Sequence, residues 1–410
     1  MKEEHPVSKQ SLPGRVEMPV MPSLKMRISD VRKAITLKRS IRLGVSAFFF
    51  TQGLGFASWA SRIPEIKNSL GLSDAALGSI LFALPAGSLT SLPLSGWLVT
   101  RFGSKLMALT GALLYMMILV MIGFSSEVWM LVGSLFLFGL VGNLVNIAVN
   151  TQAIGVENMY KKSIMAAFHG AWSLAGFGGA AIGTVMVSAA IDPRYHFIAV
   201  ACLCVIIILV GQQFTLRGKM NSGDTPLFVL PDKALLKLGL IGFCGMASEG
   251  AMFDWSGVYF QKVVEAPASM TTLGYAAFMS TMAGGRFIGD SLANRLGRKK
   301  MLQLSGVMIS AGLIISVVFP FIIPVTIGFL LVGFGVSSVV PLVYSAAGKS
   351  HTLSPGMALA AVSTISFFGF LVGPPLIGFI AEAASLRYSF AVIAALGFCT
   401  ALLASRTKLV

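Results

Sequence analysis

Apolar residues in this 410-residue chain come in runs far longer than a soluble helix or strand requires, separated by short polar loops. Twelve such runs fall at 43–62, 75–99, 106–125, 129–152, 166–190, 196–215, 235–261, 270–292, 301–320, 323–346, 357–382 and 388–405. Each is long enough to cross about 30 Å of hydrocarbon as a helix. Stretches such as "VIIILVG" and "LVGSLFLFGLVG" do not alternate, which excludes a membrane β-barrel built from alternating strands of ~10 residues. The pattern predicts an all-α integral membrane protein with twelve transmembrane helices.

The polar breaks repeat. "VTRFGSKL" at 99–106 has a counterpart in "ANRLGRKK" at 293–300. Shifting the first half by 193–195 residues also aligns Gly139 with Gly333, Gly178 and Gly183 with Gly373 and Gly378, and "RYHF" at 194–197 with "RYSF" at 387–390. Matches in register predict two pseudo-symmetric six-helix halves, a plan that places a solute site between them. The expected organisation is a cytoplasmic tail over 1–42, an N-terminal half over 43–215, a cytoplasmic linker over 216–234, and a C-terminal half with a short cytoplasmic tail over 235–410.

Composition agrees with the pattern: 55% of residues are hydrophobic and 11% charged, and the mean hydropathy is +0.82. A net charge of +15 raises the question of nucleic acid, but topology accounts for it. With the N-terminus in the cytoplasm, ten Lys and Arg lie in the tail, fifteen in the loops and terminus of the same side, and five on the other side. That is the positive-inside distribution, with both termini cytoplasmic, and no nucleic-acid partner is expected. Residues 28–42 could form a basic amphipathic helix at the inner membrane surface, and a plain tail fits them equally. Cys202, Cys204, Cys244 and Cys399 fall in apolar runs and read as small hydrophobes. No cleavable leader is expected, because residues 1–40 have no apolar segment.

The first basic loop, with Gly96, Leu98, Arg101, Gly103 and Lys105, resembles the loop motif of the major facilitator superfamily. Its second copy carries Leu292, Asn294, Arg295, Gly297, Arg298 and Lys299. Thr100 and Ser104 depart from the usual Asp and Arg, and Asp290 stands at a usual Gly. The strings "SRIPEIKNSLGLS", "NTQAIGVE", "FHGAWSLAGFGG", "EGAMFDWSGVYF" and "FLVGPPLIG" resemble the bacterial branch related to the fucose permeases. The resemblance implies a monomeric transporter of the bacterial inner membrane. It would move a small polar, sugar-like solute by alternating access, as a proton-coupled symporter without a cofactor or metal. Asn146 stands where that branch often has an acid, which weakens the case for coupling there. Proton-driven efflux of a metabolite or drug and an uncoupled facilitator or exchanger remain alternatives.

Ionisable side chains inside apolar spans are costly and should face a cavity or a partner. Glu249, about 14 residues into the seventh span, is a candidate for both proton coupling and solute binding. Asp254 and His169 are further proton-coupling candidates. Arg62, near the outer end of the first span, is expected to meet Asp254 across the pseudo-twofold as an outer gate. Asn143, Asn146 and Asn150 share one helix face and form a polar stripe suited to a hydroxylated ligand, with Gln52 and Tyr344 completing the binding set. Trp59 and Trp255 are weaker lining candidates, equally readable as interface anchors. Arg286 and Asp290, four residues apart, can pair and read as a cytoplasmic charge cluster, with the binding of an anionic solute by Arg286 as the lesser alternative. Arg101 and Arg295 hold the basic loops and serve conformational change. An enzyme is disfavoured, since His5, His169, His196 and His351 are scattered and no paired-carboxylate or zinc signature occurs.

Overall fold

A computed structural model describes residues 28–160, 164–216 and 232–347, residues 350 and 353, and residues 355–407. The expected N-terminal tail before Ile28 and most of the linker lie outside the described residues.

Thirteen α-helices occur among the described residues: α1 (Ile28–Ser69), α2 (Asp74–Leu81), α3 (Ala83–Phe102), α4 (Ser104–Gly123), α5 (Val128–Tyr160), α6 (Met165–Ser188), α7 (Pro193–Gly211), α8 (Lys233–Lys262), α9 (Leu273–Leu296), α10 (Arg298–Val318), α11 (Ile322–Ala347), α12 (Pro355–Ala383) and α13 (Leu386–Ser405). The run at 75–99, read as one span, is carried by α2 and α3, which part at Phe82. Pro85 has no N–H to offer the Leu81 carbonyl, so the ladder is interrupted there. The basic stretch 28–42 is the opening of α1, a helix of 42 residues. At that length α1 is about 63 Å long and outruns a bilayer.

Ten of the helical stretches are long and apolar enough to cross a membrane. The helices of the first and eighth runs, α1 and α9, fall short by composition. Each carries an arginine and several hydroxyl or amide side chains within its run: Thr51, Gln52, Ser58, Ser61 and Arg62 in α1, and Ser280, Thr281 and Arg286 in α9. The outward faces of the bundle are apolar where lipid would lie, as at Met117, Ile206, Ile314 and Phe398, all exposed. Helices satisfy their backbone groups internally, so this arrangement suits hydrocarbon.

The internal repeat is visible in the backbone. Gly103 separates α3 from α4 at φ 87°, ψ 147°, and Gly297 separates α9 from α10 at φ 83°, ψ 148°. Only glycine occupies this region comfortably. A Cβ on Gly139 of α5 would strike the Leu84 carbonyl of α3, and a Cβ on Gly333 of α11 would strike the Phe278 carbonyl of α9. Both pairs keep the same spacing along the chain. Nothing lies within 4 Å of a Cβ built on Gly297, so alanine there meets backbone strain alone, and the matching backbone angles put the same strain on alanine at Gly103. We expect Gly103→Ala and Gly297→Ala each to cost about 1–3 kcal/mol, read as a lower melting temperature in detergent. Gly96→Ala, also in open space but inside a helix, should leave the melting temperature unchanged or raised.

α1 lies along α6 and α8 along α12, while α3 pairs with α5 and α9 with α11. The two sets meet along α6–α9, α2–α12 and α1–α8, and a cavity lies between them.

Candidate functional site

Aromatic rings and a small set of polar groups make the cavity, about 360 Å³ in volume and lined from both sets of helices. Small-molecule sites have this size and mixture. The side from α1–α6 contributes Phe49, Gln52, Phe56, Ser88, Asn143, Asn146, His169 and Trp172, and the other contributes Glu249, Phe253, Asp254, Arg286 and Phe370. Tyr115 and Phe138 stack at 4.0 Å between ring centroids at its wall.

Arg286 of α9 is the hub. Its guanidinium donates to Ser173 Oγ of α6 at 2.6 Å and to Glu249 Oε1 of α8 at 3.2 Å. Its Cζ lies 5.6 Å from the Trp172 ring centroid, within cation–π reach. A guanidinium away from bulk water needs acceptors for its five N–H groups, and this pocket supplies a carboxylate, a hydroxyl and a ring face. Arg286 lies at the cavity and pairs with a different helix; the Asp290 side chain, and with it the expected Arg286–Asp290 pair, lies outside the described residues.

On the opposite wall the amides are partly engaged. Gln52 Nε2 donates to the Gly142 carbonyl at 2.8 Å, and Asn143 Nδ2 to Ser91 Oγ at 2.8 Å. Asn150 Nδ2 donates to the Asn146 side-chain and main-chain oxygens. Asn150 thus orients Asn146 and is not itself part of the lining. Tyr344, partly buried against the apolar core, is also outside the lining. His169 lines the cavity, packed edge-on against Phe49 with ring centroids 5.4 Å apart. Arg101 is exposed, its guanidinium over the rings of Trp97 and Phe102, and Arg295 is exposed in the last turn of α9.

The expected Arg62–Asp254 gate does not form. Arg62 is fully buried. It donates to His196 Nδ1 at 3.1 Å and the Ile191 carbonyl at 2.7 Å, and it pairs with Glu65. All its acceptors come from its own half, because α7 and the turn before it wrap the end of α1. Asp254 lines the cavity and makes no hydrogen bond or ion pair among the described residues. Trp59 and Trp255 are fully buried in the core, away from both the cavity lining and a lipid interface.

A different set of groups, outside the cavity lining, ties the two sets of helices together. Asp74, at the start of α2, receives Lys67 of α1 at 3.0 Å and Lys262 of α8 at 2.9 Å. Glu382 of α12 accepts the Asp74 and Ala75 amides at 3.0 and 3.3 Å. Its carboxylate thereby caps the N-terminus of α2, where negative charge is favoured. Behind these groups α2 and α12 approach so closely that a Cβ on Gly78 would lie 2.7 Å from the Pro374 carbonyl. None of these partners was legible as a pair. Each sits at a helix end, and their meeting depends on how the two halves are packed.

Among the described residues no three His, Cys, Asp or Glu side chains gather in a way that could hold a metal ion.

Residues 44–355 match the family model described as Major Facilitator Superfamily. The chain is 35% identical over 376 residues to an uncharacterised MFS-type transporter of Yersinia pestis, covering 91% of this chain and 96% of that protein. It is 33% identical over 356 residues to the membrane protein MosC of Rhizobium meliloti, covering 86% of each. In fold it is similar to a crystal structure of a mutant of the nucleoside transporter NupG, with a TM-score of 0.75 at 11% identity, over 89% of this chain and 99% of that one.

Proposed function

The chain belongs to the Major Facilitator Superfamily, and from that premise we propose that it is a proton-coupled symporter of a small polar organic solute, working by alternating access between two six-helix halves. It is a multi-pass membrane transporter of a small-molecule solute and not an enzyme. The finer reading rests on one observation. In the cavity, Glu249 is already engaged by Arg286, whereas the amides of Gln52, Asn143 and Asn146 and the carboxylate of Asp254 retain unused bonding capacity.

That separation favours symport. A proton taken up by Glu249 and a solute held by the amide wall occupy different groups, so both can be bound at once. An antiporter would need them to compete. Protonation of Glu249 would cancel its charge, weaken its hold on Arg286 and loosen the tie between α8 and α9. Loosening a tie inside the C-terminal half is the kind of differential interaction a bound proton needs in order to shift a two-state equilibrium.

The arrangement is read as inward-facing. The basic loops that end at Gly103 and Gly297 face the cytoplasm by the positive-inside rule. The Asp74–Lys262 and Glu382 contacts then close the outer end. We place the protein in the bacterial inner membrane as a monomer, with both termini cytoplasmic. The test is reconstitution in proteoliposomes. Concentrative uptake driven by an imposed proton gradient, with solute counterflow when the gradient is absent, supports the reading. Saturable uptake indifferent to the gradient would leave an uncoupled carrier.

A further inference from the structure

The cavity holds two carboxylates, Glu249 and Asp254, against one guanidinium, Arg286, with His169 the remaining titratable imidazole on its wall. Glu249 and Arg286 neutralise one another at 3.2 Å. Arg286 also donates to Ser173 Oγ and lies over the Trp172 ring, so an incoming anion would compete with Glu249 for it. Asp254 has no such partner among the described residues, so in its ionised form it gives the cavity one negative charge that no described side chain there balances.

The cavity that Asp254 lines is largely aromatic. Its neighbour Phe253 stands edge-on to Phe56 with centroids 5.1 Å apart, edge-on to Trp172 at 6.3 Å, and stacked with Phe370 at 6.2 Å. Phe56, Phe253, Phe370 and Trp172 all line the cavity with it. A carboxylate and aromatic rings lining one cavity are the composition that recognises an ammonium group, which gains from the charge and from the ring quadrupoles together. An anionic ligand would meet repulsion from Asp254 and would have to displace Glu249 from Arg286.

The amide wall sets the rest of the ligand. With Nδ2 of Asn143 and Nε2 of Gln52 engaged, their side-chain oxygens remain as acceptors. Asn146, whose oxygen takes the Asn150 amide, keeps its Nδ2 as a donor. Acceptors and a donor side by side suit hydroxyl groups, which can serve as either.

We propose that the solute is a small hydroxylated amine, an amino-sugar or amino-polyol type of molecule, bound with its ammonium at Asp254 and its hydroxyls on the Gln52–Asn143–Asn146 wall. The proposal rests on the reading of this cavity as the transport site and adds to it the charge of the cargo.

The charge of the cavity can be probed directly, with small charged thiol reagents in place of the solute. In a chain whose Cys202, Cys204, Cys244 and Cys399 are replaced by Ser, Asn146→Cys places a single thiol in the cavity. Its reaction rates with cationic trimethylammonium-ethyl methanethiosulfonate and anionic sulfonatoethyl methanethiosulfonate are compared, each normalised to a free thiol in solution. A cavity of one sign concentrates the opposite ion by about tenfold or more. We expect the cationic reagent to lead by about that factor, the lead to collapse towards unity in Asp254→Asn, and Asp254→Glu to keep it. A lead of the anionic reagent, or a cationic lead unchanged by Asp254→Asn, overturns the proposal. Glucosamine, glucose and glucuronate, matched in scaffold, add a binding readout: glucosamine should slow labelling more than the other two, and equal or greater protection by glucuronate counts against an amine. Counterflow without a cationic lead removes the amine and leaves the carrier. A cationic lead without counterflow of any solute removes the carrier reading instead.

Discussion

Glu249→Gln is expected to abolish concentrative, proton-driven uptake while leaving solute exchange intact. Gln keeps the size of Glu and can still accept a hydrogen bond from Arg286, so the link between α8 and α9 survives in weakened form. What it loses is the charge and the ability to take a proton. A charge-assisted bond of this type contributes about 1.5–3 kcal/mol, so the balance between conformations should move by about tenfold to a hundredfold. The two readouts separate coupling from folding, since a misfolded variant would lose exchange as well. Glu249→Ala is the less useful probe, because stranding the Arg286 guanidinium costs about 3–5 kcal/mol in a site of this kind. Should Glu249→Gln still accumulate solute on a proton gradient, coupling lies at another group, and Asp254 and His169 are the remaining candidates in the cavity.

Asp74→Asn carries the second large effect, on conformation. One carboxylate holds both Lys67 and Lys262, and Lys262 belongs to the opposite half. Removing the charge deletes both ion pairs and leaves two ammonium groups side by side. The groups are unequally sheltered: the Lys67 side chain is 4% exposed, that of Asp74 9%, and that of Lys262 44%. The link to Lys262 is accordingly partly screened, and most of the effect comes from the buried Lys67 losing its counter-charge. We expect the closed end to open in an about tenfold larger fraction of molecules, equivalent to about 1.4 kcal/mol. The measurement is the rate at which a membrane-impermeant thiol reagent, added from the Asp74 side, reaches Asn146→Cys. Glu382→Gln should act in the same direction and more weakly, since its amide oxygen can still cap α2.

Much of this architecture could be read from residue order, because it depends on local chemistry. The length and apolarity of each run determine whether it can cross a bilayer, and a Gly between basic residues marks where a helix must turn back. Hence "VTRFGSKL" and "ANRLGRKK" foretold the matched turns at Gly103 and Gly297. The cavity's polar residues were partly legible for the same reason. Gln52, Asn143, Asn146, Glu249, Asp254 and His169 stand out as polar positions in apolar runs, and all of them line it.

Pairing was not legible. Helical spacing pointed from Arg286 to Asp290 and gave no hint of Glu249, 37 residues away on a neighbouring helix, with which Arg286 pairs. A signal did exist: both residues lie near the middle of adjacent antiparallel helices, α8 and α9, so they share a depth. Arg62 and Asp254 looked complementary by position near one end of facing helices. The nearer groups Glu65, Ile191 and His196 claimed Arg62 instead. The break between α2 and α3 was hidden because Phe82 and Pro85 are both apolar and leave the hydropathy pattern uninterrupted.

The central claim is alternating access to one cavity, and the most direct measurement is the sidedness of that cavity. Asn146→Cys, in the cysteine-free background, is labelled with an impermeant thiol reagent in right-side-out and inside-out membrane vesicles. The account predicts fast labelling from the side opposite Asp74 and slow labelling from the Asp74 side. It further predicts a reciprocal change when Asp74→Asn is introduced, one rate rising as the other falls. Fast labelling from both sides at once, in a single population, would describe a continuous pore and contradict the account.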